Sequence, residues 1–90
     1  MKVRFYTSNE YTSDDRIERV EQMVDGLVLD MERVPEKGES MTFQMGKVWF
    51  EAMIMDVSTT YVESSENWKE QYWGITYNVT IHKIEIMEEY

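Results

Sequence analysis

From Lys2 to Thr7 the chain alternates, with Val3 and Phe5 on one side and Lys2, Arg4 and Tyr6 on the other, which predicts a half-buried strand. Ser8 to Thr12 reads as a polar turn. Beyond Ser13 the period lengthens: Ile17, Val20, Val24 and Leu27 recur at spacings of three, four and three. Alternation fails there, because Arg19 and Glu21 would share a face with Ile17. The spacing predicts a short helix over 14–25. Ser13 is its expected N-cap, Asp14 and Asp15 sit in the first turn where the helix dipole favours carboxylates, and Gly26 is the stop.

From Leu27 the period returns to two. Leu27, Leu29 and Met31 face one way and Val28, Asp30 and Glu32 the other, predicting a strand that runs to Val34. Pro35-Glu36-Lys37-Gly38 reads as a turn, since proline presets one dihedral and glycine permits a positive one. Met41, Phe43 and Met45 alternate after it, and Gly46-Lys47 reads as a tight hairpin. Val48 to Val57 is the expected central strand, with Val48, Phe50, Ala52 and Ile54 in one row and Trp49, Glu51, Met53, Met55 and Val57 in the other. Both rows are apolar through Ala52–Met55, so both faces are expected to be covered, by the helix, a second sheet or another subunit.

Ser58 to Gln71 is polar and reads as strand giving way to a loop around Ser64–Asn67. Tyr72 to Ile86 alternates again, with Trp73, Ile75, Tyr77, Val79 and Ile81 in register. Near Lys83 the phase switches to Ile84 and Ile86, which predicts a bulge or a bend onto a second sheet. The order is strand, helix, then four strands, and short connections among the later strands demand antiparallel pairing. Ninety residues are too few for a sandwich. The expected fold is α+β and mostly antiparallel: a small five-stranded partly open barrel or curled sheet with one short helix (about 14–25), in a single domain over 1–90.

The stretch from about 28 to 86 resembles small Src-homology-3-like barrels found among phage and bacterial accessory proteins. The similarity lies in the strand before Val34-Pro35, the Pro35-x-x-Gly38-Glu39 turn, the strand Met41–Met45 and a long strand rich in Val, Phe and Ile. It covers about two thirds of the chain and leaves the N-terminal strand and helix unexplained. The resemblance implies a binding scaffold and carries no role for any single residue.

Charge then narrows the classes of function. Eighteen acids against nine bases give a formal net charge of −9. Such a field repels nucleic acid and anionic membranes and attracts basic partners, so direct nucleic-acid binding is not expected. Acidity also serves simply to keep a small protein soluble. There is no cysteine, hence no disulfide or thiolate chemistry. The start of the chain lacks the apolar run of a signal peptide and no segment is apolar enough to span a bilayer, so the expected location is cytoplasmic (the host cytoplasm if the chain is phage-encoded).

Catalytic groups are scarce. His82, the one histidine, lies between Ile81 and Lys83 and reads as a surface or sheet-edge residue. No nucleophile elbow, phosphate loop or histidine metal motif is present, and Asp30 with Glu32 falls short of the converging oxygens a hard cation needs. No enzyme activity, cofactor or metal site is expected, and the eight methionines read as core filler.

The aromatic residues carry more. Tyr61, Trp68, Tyr72 and Trp73 cluster in and beside the polar stretch among Glu63, Glu66 and Glu70. Trp73 is expected in the interior, whereas Trp68 has no apolar neighbour in sequence. Rigid amphipathic rings are enriched at binding hot spots, so Tyr61, Glu63, Glu66, Trp68, Glu70 and Tyr72 form the expected partner-binding surface. The expectation is a non-enzymatic protein-binding module, of the accessory kind carried by phages or mobile elements, that modulates a basic or nucleic-acid-binding host protein. A second reading places Asp14, Glu18, Glu21 and Asp25 along one helix face as a mimic of nucleic-acid phosphates, inhibiting a nuclease or host defence complex. A third makes the chain a virion or assembly component, a homo-oligomer packed through the apolar strand at 52–55.

Overall fold

The computed structural model describes residues 1–8, 14–63 and 73–89, and for Glu63 and Trp73 the backbone alone. The elements in chain order are β1 (Lys2–Thr7), α1 (Asp15–Val24), β2 (Val28–Asp30), β3 (Ser40–Met45), β4 (Val48–Glu63) and β5 (Trp73–Glu89). The strands form one mixed sheet in the order β2-β1-β5-β4-β3, in which β2 and β3 are edges that do not pair with each other. The sheet is therefore open.

The helix matches its expected span to within its caps. Asp14 is the N-cap, its side chain accepting from the Arg16 N–H, and Asp25 is the C-cap. Ser13, the expected cap, lies outside the described residues. Val20 and Val24 are fully buried, and Ile17 and Leu27 partly so, as the spacing predicted. Gly26 follows with φ +84 and donates to the Phe5 carbonyl at 2.7 Å, turning the chain from helix into β2 beside β1.

The later strands pair antiparallel, β3 with β4 and β4 with β5. Sequence periodicity did not place β1, which inserts between β2 and β5 and runs parallel to β5 from Lys2↔Thr76 to Thr7↔Ile81. The helix that follows β1 and the long excursion through β3 and β4 supply the crossover length that a parallel pair requires. The strand expected over 27–34 is confined to Val28–Asp30, because Glu32 and Arg33 bend away and Arg33 pairs with Glu39. The turn before β3 closes one residue later than expected. Glu39 N–H donates to the Glu36 carbonyl at 3.0 Å over Gly38 at φ +88, and Pro35 is buried just upstream.

One apolar face carries the core: Val3 and Phe5 of β1, Phe43 of β3, Phe50, Ala52 and Ile54 of β4, Val79 and Ile81 of β5, closed by Val20 and Val24 of α1. The other row of β4 is partly open, with Trp49 37% and Met55 43% exposed and Glu51 and Met53 half-buried. Of the covers the sequence suggested, neither the helix nor a second sheet lies on that face among the described residues. Val57 also changes rows. Ile54 faces Ile81 but Asp56 faces Thr80, so Met55 is an extra residue, and beyond it Val57 joins Val79 on the core face.

The phase switch near Lys83 is a bulge. Met53 faces His82 while Glu51 faces Glu85, leaving one extra residue on β5, and Lys83 has φ 51. His82 is half-buried on the third strand of five and pairs with Met53 of β4. It lies one residue beyond the last pairing with β1.

Candidate functional site

Beyond the core, β4 and β5 continue as a two-stranded arm. β4 has sixteen residues, which at about 3.3 Å each is close to the molecule's 50 Å long axis. β1 accompanies β5 only as far as Thr76, and β3 accompanies β4 only as far as Met53. The pairs Tyr61↔Ile75, Val62↔Gly74 and Glu63↔Trp73 thus have no described strand on either flank.

The arm continues the core face outward. Counting by twos from the Val57↔Val79 pair, the next inward-facing pairs are Thr59↔Tyr77 and Tyr61↔Ile75. Val79 is buried and Tyr77 half-buried, but Ile75 is 43% and Tyr61 64% exposed. The same alternation that buries a residue under α1 exposes one past the end of the neighbouring strands. Val62 points to the opposite face and is 48% exposed, because Gly74 across from it offers no side chain to cover it. Asn78 Nδ2 donates to Thr60 Oγ1 at 2.7 Å, a cross-strand bond at the base of the arm.

Of the six expected partner-binding residues, Tyr61 is an exposed member of this arm. Glu63 is its last described β4 position, known by its backbone. Glu66, Trp68, Glu70 and Tyr72 lie outside the described residues, as does the expected interior placement of the Trp73 ring. Sequence inspection passed over Val62 and Ile75. For Ile75 the signal was available: an alternating apolar row on β5 that runs on past the length a ninety-residue core can cover.

The four acids of the expected helix face divide. Glu18, Glu21 and Asp25 line a polar hollow of about 220 Å³ with Thr7 and Gln22. Asp14 is drawn to the helix start, where hydrogen bonds from the Arg16 side chain and then its backbone N–H hold its carboxyl below the usual range. Asp25 accepts from the Thr7 N–H at 3.2 Å and ties helix to strand. Asp14 and Asp25 thus serve the helix ends. Arg19 reaches Glu89 at 3.6 Å across a small cleft between α1 and the end of β5.

A larger hollow, about 460 Å³, opens on the outer face where the bulges at Met55 and Lys83 meet the Lys37–Gly38 turn, with Asp56 and His82 in its wall. It is an open depression between the bulged strands. Among the described residues no three His, Cys, Asp or Glu side chains gather to hold a metal ion, and no helix is long and apolar enough to cross a membrane.

Comparison with protein-family models, curated proteins and solved structures finds no match for the chain. The reading of its function rests on the geometry above.

Proposed function

We propose that the chain is a non-enzymatic protein-binding module whose contact surface is the β4–β5 arm, and that its partner is a basic protein. The observation that carries this is the exposed Tyr61↔Ile75 pair with Val62 behind it, on a hairpin no other described strand covers. Side chains of this kind gain little by standing in water and gain about 25 cal/mol for each Å² a partner covers. A tyrosine anchors well because it brings large area with few rotatable bonds.

Charge supports a basic partner. Over Val48–Glu63 the strand carries Glu51, Asp56 and Glu63 and no lysine or arginine, within a chain of net charge −9. Such a surface speeds encounter with a positive protein and discourages acidic ones. A phage or mobile-element origin, and modulation of a host protein, belong to the same proposal and rest on the resemblance of the strand and turn pattern over 28–86 to small Src-homology-3-like barrels.

The test is affinity capture on the immobilised chain, repeated with Tyr61→Ala combined with Ile75→Ser. The proposal expects a salt-sensitive basic protein captured by the parent and reduced at least about tenfold with the variant, whose thermal midpoint stays close to the parent's. Equal capture by both removes the arm from the contact.

A further inference from the structure

Hydrogen bonds at the margins of the β4–β5 ladder determine which backbone groups of the arm point outward. Ser8 N–H donates to the Ile81 carbonyl at 3.0 Å, so Ile81 turns its backbone toward β1. At period two, Val79 and Tyr77 do the same, leaving Asn78, Thr76 and Gly74 directed at β4. Their partners Ser58, Thr60 and Val62 are then the hydrogen-bonded members of the ladder, and Val57, Thr59 and Tyr61 point the other way.

Three bonds on β4 itself agree. Ile54, opposite Ile81, engages the Gly38 N–H and the Glu39 carbonyl on the β3 side, both at 2.8 Å. Past the bulge, the Val57 N–H is held by its own neighbour's carboxylate, Asp56 Oδ1, at 2.9 Å. Beyond Ile54 no described strand lies on that side. Thr59 and Tyr61, both exposed, therefore present two N–H groups and two carbonyls in strand register along an open edge.

Open edges of this kind are templates for another strand, and proteins usually blunt them with charge or proline. Val57-Ser58-Thr59-Thr60-Tyr61-Val62 contains neither, and acids stand at both ends, Asp56 and Glu63. We propose that the Val57–Glu63 edge of β4 takes up an extended segment of a basic partner by strand addition. The segment pairs its backbone with Thr59 and Tyr61 and sets lysines or arginines beside Asp56 and Glu63. The inference deepens the protein-binding reading of the arm and rests on it.

Charge selects the occupant. A second copy of the chain would bring another net −9 and another β4 with three acids and no base to the same edge. A basic strand meets the same backbone groups and gains at both ends instead. In strand addition the main chain supplies affinity and alternate side chains supply choice of partner. Here the incoming side chains on the inner face would lie alongside Tyr61.

The experiment uses the full chain and a synthetic peptide of alternating valine and threonine with paired lysines at each end. A glutamate-ended counterpart and a proline-interrupted one serve as controls, and amide hydrogen exchange is read residue by residue. The lysine-ended peptide should slow exchange at Thr59 and Tyr61 at least about tenfold and leave Thr60, already paired with β5, unchanged. The controls should do neither. Thr59→Pro removes an edge donor without touching the β5 ladder, and should weaken peptide binding about fivefold with the amide spectrum otherwise retained.

No slowing at Thr59 and Tyr61, or equal slowing by the glutamate-ended peptide, overturns the proposal. If binding is lost in Tyr61→Ala but indifferent to Thr59→Pro and leaves the Thr59 amide unprotected, strand addition fails while the arm remains the contact surface. Concentration-dependent protection of the same amides with no peptide present would overturn the basic occupant in favour of a second copy.

Discussion

The rings of Phe5 and Phe43 meet edge to face with centroids 5.5 Å apart, although β5 and β4 lie between their strands. Three strand spacings in a flat sheet are roughly 14 Å, so this contact requires the sheet to curl until its flanks face each other. Phe50 stacks on Phe43 at 5.0 Å and completes the cluster inside the curl. The bulges at Met55 and Lys83 supply local bend, since each extra residue increases strand twist.

This cluster makes Phe43 the side chain that joins edge strand β3 to the far flank. Phe43→Ala should destabilise the chain by about 3 kcal/mol, a large share of the roughly 5–15 kcal/mol a small domain commands. Phe43→Leu should cost markedly less, because it retains contact with Phe5. Urea unfolding followed by tryptophan fluorescence reads both, and an alanine cost below about 1 kcal/mol would contradict the ring contact as the joint.

The ladder phase yields its own prediction in the free protein. Ser58, Thr60 and Val62 bond across to β5, whereas Thr59 and Tyr61 face outward, so amide exchange along the arm should alternate. Thr59 and Tyr61 should exchange at least about tenfold faster than Ser58 and Thr60. Uniform exchange over 58–61 would mean that the register is not the one described by the Ser58↔Asn78 and Thr60↔Thr76 pairs.

Much of this architecture was legible in the residues. The helical spacing of Ile17, Val20 and Val24, the row Met41–Phe43–Met45 and the phase change at Lys83 are local signals, and each reappears in the fold. Strand order was not legible. Val3 and Phe5 declare a buried face but not which neighbour lies to either side, and the parallel pairing with β5 is decided by contacts more than seventy residues apart. The Met55 bulge hid for another reason: Ala52 to Met55 is apolar on both rows, so a one-residue slip leaves no trace in the hydropathy. In the candidate site, Tyr61 stood out as an aromatic residue among polar ones, while Ile75 looked like the core strand it extends. Exposure of both depends on where β1 and β3 end, which is information held by other strands.

Its link to Arg33 should make Glu39 resist acid. The Glu39 carboxyl is held at about 2, below its ordinary 4.5, chiefly by the Arg33 guanidinium and then by the Glu36 N–H, which donates at 2.9 Å. A lowered native value means the link's contribution is complete above the ordinary carboxylate range and fades as pH falls through 4.5 toward about 2. Solvent screens so exposed a pair, so its effect on global stability is small and the site itself is the place to look. Carboxyl carbon shifts recorded against pH should put Glu39 well below an ordinary glutamate, and Arg33→Gln should move it back up. An unmoved midpoint would break the assignment of cause.

Lys83 holds the only positive φ of a non-glycine residue among those described, at 51° on the bulge that shifts β5 into its second phase. An L-residue there costs about 1–2 kcal/mol, and a β-branched one more, because its Cβ crowds the carbonyl. Lys83→Gly removes that strain while making the unfolded chain freer, two effects of similar size, so it should change stability by less than about 0.5 kcal/mol. Lys83→Val should cost about 2 kcal/mol. Two residues on, Glu85 sits in regular pairing with Glu51, where the order should reverse. Glu85→Gly should lose about 1 kcal/mol for want of strand propensity, and Glu85→Val should be tolerated or stabilising. Thermal and urea midpoints for the four variants decide the matter: if glycine and valine rank the same way at both positions, the chain does not bend at Lys83, and the alignment of Ile86 with Phe50 that depends on it must be redrawn.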